Sequence, residues 1–201
     1  MATLGQAVTE ARLVLQDTVQ PYRYPDADLL GYANDSLNLL VDLLPELFSA
    51  YINCVTLAGA DQQLPFAGSL GLDDVLFNEV GGAVRFFEAE VLDAYRPSWR
   101  TDPPGSVRQW SRIKDHRYRF LVYPPAIGGV ALTCSHIAAP TVYAMTDAVD
   151  QRLDTYIGNI ADYVTAMAEA REDESAGPNR SALFMKAFTD KLSARAKLKG
   201  A

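Results

Sequence analysis

Residues 17–44 read DTVQPYRYPDADLLGYANDSLNLLVDLL, a polar turn followed by the clearest helical pattern in the chain. Asp26 stands where an N-cap belongs, with its carboxylate placed to accept a backbone N–H of the first turn. The apolar residues that follow a 3.6-residue period are Leu30, Ala33, Leu37, Leu40 and Leu44. Four further residues widen this face, namely Leu29, Leu39, Val41 and Leu43. A face this wide predicts burial on more than one side, so we expect this helix to be the spine for the other helices.

Helical patterns flank this stretch at both ends of the chain. Residues 3–17 predict an amphipathic helix, and residues 147–171 carry a long apolar seam that runs into an acidic segment. Gly177-Pro178-Asn179 interrupts the chain before a last helix, in which Phe184 and Phe188 share a face.

Between about residues 50 and 140 the pattern changes to short strands. Strands are predicted over residues 51–57, 62–66, 70–79, 84–87, 107–113, 118–123 and 130–137. The first two are expected to form a hairpin through Gly59-Ala60-Asp61, and Pro124-Pro125 to end the strand at 118–123. The predicted fold class is α+β, with the N- and C-terminal helices forming a helical bundle and a central antiparallel β-sandwich-like lobe. Residues 1–48 and 141–201 would form the helical subdomain, with the lobe of residues 49–140 inserted.

Composition excludes several classes of protein. The chain has 201 residues and a formal net charge of −7, which disfavours a protein that grips nucleic acid with most of its surface. It lacks a run of about 18 apolar residues, so no membrane-spanning helix is expected. Cys54 and Cys134 are interpreted as small buried thiols in a reducing compartment rather than as a disulfide.

The polar residues form no recognisable catalytic motif. There is no G-x-S-x-G elbow and no Gly-rich phosphate loop. His116 and His136 are interpreted as a turn and a strand residue rather than as metal ligands. We expect no catalytic site, no metal and no cofactor.

Two residue pairs leave alternatives open. Asp73 and Asp74 are a carboxylate pair of the kind that glycosidases and metal enzymes use, but adjacent residues point to opposite faces of a strand. Trp99 and Trp110 could line a ligand pocket, although anchoring of a core or an interface is the favoured interpretation.

The order of several short motifs carries a resemblance. They are ARLVLQDT (11–18), RYPDADLL (23–30), Asn34-Asp35, GADQQLP (59–65), LDA with PSW (92–94 and 97–99) and FLVYPP (120–125). Together with the C-terminal pair of helices, this order resembles the head-to-tail adaptor proteins of short-tailed bacteriophages, in particular those related to the tail tubular protein A group. Tyr32 departs from the pattern, because a Trp is expected there.

The resemblance implies a non-enzymatic virion protein that is assembled in the host cytoplasm and located in the neck of the particle. Copies would form a ring, expected to be twelvefold, between the portal protein and the tail nozzle. The helical subdomain would form the ring's wall, and the β lobe would project towards the next tail component. Genomic DNA would pass through the lumen without specific binding, and no membrane partner is implied. Adaptors of this family are often monomeric until a portal templates them, so a monomer in solution is compatible with the resemblance.

The basic end of the last helix is a candidate portal interface. It consists of Lys191, Arg195, Lys197 and Lys199. These residues either dock on an acidic portal surface or form a solvated helix end.

Two functions from other classes stay open. One is a small-molecule-binding or regulatory α+β domain with a pocket near Trp99 and Trp110. The other is a metal-dependent hydrolase that uses Asp73, Asp74 and His116.

Overall fold

The chain divides into two compact units. The computed structural model describes residues 1–65, 68–171 and 179–199. One unit combines Met1–Leu47 with Pro140–Ala201, and the other is Phe48–Ala139. Within the described residues the architecture is α+β, with five α-helices and two mostly antiparallel sheets.

The α-helices are α1 (Leu4–Leu15), α2 (Asp26–Leu43), α3 (Ala89–Tyr95), α4 (Ile157–Arg171) and α5 (Asn179–Lys199). The strands are β1 (Ser49–Val55), β2 (Gly59–Gln63), β3 (Ser69–Phe77), β4 (Arg85–Phe86), β5 (Gln109–Arg112), β6 (Arg119–Ala126) and β7 (Ala131–Ala138). Short 3₁₀ segments occur at Pro45–Phe48, Trp99–Thr101 and Gln151–Tyr156. The last of these replaces the first turns of the helix predicted over residues 147–171.

The central helix of the helical unit is α4 rather than α2. Helix α4 packs against α1, α2 and α5, and nine of its fifteen residues are buried. Several of them are alanines, which let the neighbouring helices approach closely. The predicted role of α2 as the spine is therefore wrong. Leu39 and Leu43 on its wide apolar face are 36% and 51% exposed, so this face is not buried on every side.

The two N-terminal helices begin in different ways. Helix α1 has a capping box, in which the Thr3 hydroxyl accepts the Gln6 N–H and the Gln6 side chain accepts the Thr3 N–H. Helix α2 has Pro25 at its N-cap and no side-chain cap. The predicted N-cap role of Asp26 is therefore wrong, because its carboxylate instead binds the guanidinium of Arg12.

The β unit contains a three-stranded sheet of order β1-β7-β3 and a four-stranded sheet of order β2-β6-β5-β4. The predicted hairpin of the first two strands is wrong, because β1 pairs with β7 whereas β2 pairs with β6. Gln62 explains the turn between them. Its buried side-chain amide accepts the Leu57 N–H at 2.7 Å and donates to the carbonyls of Leu57 and Gly59 at 2.8 Å. These bonds fix a turn before Gly59, where β2 begins.

Two further details differ from the predicted antiparallel lobe. Strand β4 is parallel to β5, because the intervening chain, which contains α3, crosses back before β5 begins. Strand β6 continues through Pro124 and Pro125 to Ala126. The pairing with β2 is irregular along this part, because Gly59 is opposite Ala126 whereas Asp61 is opposite Leu121. Residues 122–125 of β6 therefore have only Ala60 opposite them, so the two prolines interrupt no regular ladder with β2.

One hydrophobic core draws side chains from both sheets of the β unit. Its fully buried members include Cys54, Val75, Phe120, Val122, Leu132 and Cys134. Cys54 and Cys134 are free thiols. Trp110 belongs to this core and Trp99 is fully buried, so the interpretation of both tryptophans as core anchors is confirmed.

Candidate functional site

A buried ion-pair network joins the end of α1 to the start of α2. The Arg12 guanidinium contacts the carboxylates of Asp17 and Asp26 and donates to the Tyr24 carbonyl at 2.8 Å. Asp17 also accepts the backbone N–H groups of Arg23 and Tyr24 at 2.8 and 3.2 Å. The motifs ARLVLQDT and RYPDADLL therefore meet in space, where they fix the turn between the two helices.

Asn34 holds a second junction within the helical unit. Its side-chain amide donates to the Tyr143 carbonyl at 3.0 Å and accepts the Tyr143 N–H at 2.9 Å. The side chain thus satisfies both backbone polar groups of Tyr143, as a paired residue of a β-strand would. The two bonds attach the segment before α4 to the middle of α2.

A polar cluster in the β unit accounts for the LDA and PSW motifs. The Trp99 indole N–H donates to the Asp93 carboxylate at 2.7 Å. The Arg100 guanidinium pairs with the same carboxylate and lies 4.5 Å from the centroid of the Trp99 ring. The bonds from Arg100 and Trp99 hold the pKa of Asp93 below its usual value. The cluster fixes the buried Trp99, whose ring makes edge contacts with Phe87 and Tyr123.

The candidate portal interface lies on the C-terminal half of α5. The ammonium group of Lys191 pairs with Asp162 of α4 within the helical unit. Arg195, Lys197 and Lys199 belong to the helix, but their side chains lie outside the described part of the structure. Glu172, Asp173 and Glu174, which were predicted to belong to the charged end of the helix that precedes α5, also lie outside the described residues.

The candidate hydrolase residues have separate surroundings. Asp73 accepts the Ser135 hydroxyl at 3.1 Å, whereas Asp74 accepts the N–H of the following residue, Val75, at 2.7 Å. His116 lines a different surface depression, together with Asp115 and Arg117. Among the described residues, no three His, Cys, Asp or Glu side chains are grouped closely enough to hold a metal ion.

His136 lies in strand β7 and is only 7% exposed. Burial lowers the pKa of its imidazole. Its Nδ1 atom has no hydrogen-bond partner among the described residues.

The β unit also contains an open cavity of about 520 Å³, which we call the arginine cavity. It is lined by Ala83, Arg85, Gly105, Ser106, Arg108, Gln109, Tyr123 and Pro124. Neither Trp99 nor Trp110 lines it, although Gln109 is adjacent to Trp110 in sequence and Tyr123 contacts Trp99. The sequence analysis missed Arg85 and Arg108, because 22 residues separate them and only the parallel pairing of β4 with β5 brings them together.

Comparison with known proteins adds no assignment. No protein-family model matches the chain, and no curated protein matches it. Among the described residues, no helix is both long and apolar enough to cross a membrane.

Proposed function

We propose that this chain is a head-to-tail adaptor of a short-tailed bacteriophage, a virion structural protein that links the portal to the tail nozzle. In this proposal the helices form a bundle in the wall of a ring, and the β unit forms a sandwich-like lobe that extends towards the nozzle. The ring, expected to be twelvefold, encloses the path of the genomic DNA. The proposal rests on the ordered motifs that resemble this family.

The observation that best supports a ring is the apolar pair Leu39 and Leu43 on α2. The two residues are one helical turn apart and therefore neighbours on the helix surface. Their side chains are 36% and 51% exposed in the single chain. A neighbouring copy in a closed ring would cover them, and burial of apolar area contributes about 25 cal/mol per Å².

Charge gives a second line of support. The unit of Met1–Leu47 with Pro140–Ala201 contains ten basic and sixteen acidic residues, whereas Phe48–Ala139 contains eight basic and nine acidic residues. The helical unit therefore carries a net charge of −6 and the β unit only −1. A negatively charged wall would repel the phosphates of DNA and let the genome slide.

The test is assembly on the portal rings of the phage that encodes the chain. Sedimentation velocity of the purified chain with these rings should show a saturable complex, and electron microscopy should show an added ring. The variant Leu39→Gln/Leu43→Gln should fold but lose assembly by about tenfold or more, because the apolar contact is removed. The matched control is Val91→Gln/Tyr95→Gln, which changes an exposed apolar pair with the same spacing on α3 of the β unit.

The outcomes separate two claims. If the wild-type chain does not bind the portal rings, the adaptor function is wrong. If the chain binds but the leucine variant assembles as well as the control, the α2 face is not the contact between copies.

The basic end of α5 is the proposed portal contact and needs its own variant. Charge reversal at Arg195, Lys197 and Lys199 should weaken portal binding if this end docks there. Substitution is preferable to deletion of the whole end, because Leu192 is only 2% exposed and its loss would disturb the packing of α5. Undiminished binding would identify the basic residues as a solvated helix end.

A further inference from the structure

The arginine cavity brings two cations together without a local counter-charge. Backbone bonds align its residues on three neighbouring strands or their ends: the Arg85 N–H donates to the Arg108 carbonyl, and the Arg108 N–H to the Tyr123 carbonyl, both at 3.0 Å. None of the eight lining residues is acidic. Arg85 is opposite Gln109, the residue next to Arg108, so the backbones of the two arginines are adjacent and both residues line the same cavity.

Other arginines of the β unit are arranged differently. Arg96 pairs with Asp102, Arg100 with Asp93, and Arg119 with Asp61. Within the described part of the chain, no ion pair or side-chain hydrogen bond involves Arg85 or Arg108, and both residues are exposed. Two guanidinium groups at one concave surface are therefore available to a ligand, in a protein whose net charge is −7.

The framework around the cavity is held in place by buried contacts. Asn78 donates to the Ser106 hydroxyl at 3.2 Å and to the Val107 carbonyl at 2.8 Å. The Ser106 oxygen acts as an acceptor in the first bond, so its own O–H can donate to a ligand. The Tyr123 ring makes an edge contact with the ring of the buried Trp99, with 5.9 Å between the ring centroids. Such a preorganised site loses little conformational freedom when a ligand binds.

The chemistry and size of the cavity select the class of ligand. A guanidinium group matches two oxygens of a carboxylate or a phosphate with parallel N–H bonds. A volume of about 520 Å³ lies within the range of small-molecule sites, and it exceeds what a single inorganic ion would fill. We propose that the arginine cavity binds a small organic anion that carries a phosphate group or more than one carboxylate. This binding does not depend on the adaptor function.

The experiment titrates the full chain with citrate, glucose 6-phosphate and a hexaglutamate peptide, followed by calorimetry and by amide chemical shifts. We expect citrate or glucose 6-phosphate to bind saturably, with shifts at Gly105, Ser106 and Gln109. Arg85→Gln/Arg108→Gln should weaken that binding by about tenfold or more, since it removes both charge-assisted contacts. Arg117→Gln is the matched control, because it removes an exposed arginine of the same unit that does not line this cavity.

Four results would overturn the proposal. The first is that neither small anion binds saturably, and the second is that the double variant binds as well as the wild type. The third is that hexaglutamate alone binds. The fourth is that binding is completely lost at about 0.15 M salt, which would indicate diffuse electrostatic attraction. The double variant is expected to fold, because both side chains are exposed, and its melting temperature verifies this.

Discussion

Arg12 carries a full charge in a place that water hardly reaches. Its side chain is 8% exposed and that of Asp17 is 5% exposed, whereas Asp26 is largely solvated at 59%. A buried pair of this kind contributes little net stability compared with an apolar pair, but it is costly to break, because the remaining charge stays buried. The network therefore specifies the turn between α1 and α2 more than it strengthens the core.

We expect Asp17→Asn to lower the free energy of unfolding by about 3 kcal/mol, since Arg12 would lose its buried charge partner and keep the solvated Asp26 carboxylate, the Tyr24 carbonyl and the Tyr22 ring. Urea denaturation followed by circular dichroism measures the change. Asp61→Asn is the control, because it breaks an ion pair with Arg119 in which both side chains are about half exposed, and it should cost less than about 1 kcal/mol. Equal effects of the two substitutions would show that burial does not govern the Arg12 network.

His136 gives the stability a pH dependence whose sign follows from its lowered pKa. Between this pKa and the unfolded value of about 6.5, the unfolded chain binds more protons than the folded chain. The contribution of neutral His136 is therefore complete above about pH 6.5 and is lost as the pH falls below it. We expect the melting temperature to fall between about pH 7.5 and 5.5, and to fall less in His136→Gln. His116→Gln, which changes the exposed turn histidine, should retain the wild-type decrease; an identical decrease in all three proteins would contradict this assignment.

At the scale of helices, the sequence predicted the periodicity but not which faces meet. The large leucines of α2 gave the stronger signal, yet the smaller alanines at Ala161, Ala166 and Ala168 let α4 take the central place. Alanine contributes little to a hydrophobic pattern but permits close contact between helices. A prediction that ranks helix faces by their large apolar residues therefore underestimates how deeply an alanine-rich helix is buried. Leu39 and Leu43 were predicted to be part of a buried face, whereas both are exposed in the single chain.

At the scale of strands, the positions of the β segments were largely predictable, whereas their partners were not. Residues 51–57 and 62–66 are close in sequence, which favours a hairpin, but non-local pairing with β7 and β6 determines their places. The arginine cavity has the same origin, because only the parallel alignment of β4 with β5 joins Arg85 to Arg108. The LDA and PSW motifs were noted only as part of the resemblance, and the bond from Trp99 to Asp93 that joins them was not predicted.

The start of α1 offers a test of packing between this helix and the loop that precedes α4. The Gly5 N–H donates to the Met145 carbonyl at 3.0 Å, and a Cβ atom at Gly5 would lie 2.5 Å from the same oxygen. Gly5→Ala should destabilise the protein by about 1 to 3 kcal/mol despite the higher helix propensity of alanine, because the loop must move. Gly31→Ala is the matched control on α2, where a Cβ meets nothing within 4 Å, and it should stabilise by about 0.5 to 1 kcal/mol. Denaturation midpoints that shift in the same direction for both variants would refute the packing argument.

At the scale of the whole molecule, net charge differs between the helical unit and the β unit. The excess of acidic residues belongs to the helical unit, while the β unit is nearly neutral. Asp35 and Asp42 are both exposed and lie two turns apart on α2, the helix that also displays Leu39 and Leu43. Asp35 and Asp42 are four and three residues from Leu39 and therefore its neighbours on the helix surface. In the proposed ring they would lie at the edge of the contact between copies, on the side that faces the lumen.

We expect phage particles assembled with Asp35→Lys/Asp42→Lys to release their DNA more slowly than wild-type particles. Lysine ammonium groups in the wall would attract the phosphates that the carboxylates repel, and each contact would have to break as the genome moves. Fluorescence of a DNA dye after receptor-triggered opening measures the ejection rate, and the difference should shrink as salt is added, because screening weakens these contacts. The matched control is Glu79→Lys/Glu90→Lys, which makes the same change of charge at exposed positions of the β unit. Equal ejection rates for wild-type and α2-variant particles would show that these carboxylates do not face the DNA, whereas slowing in the control alone would assign the conduit to the β unit.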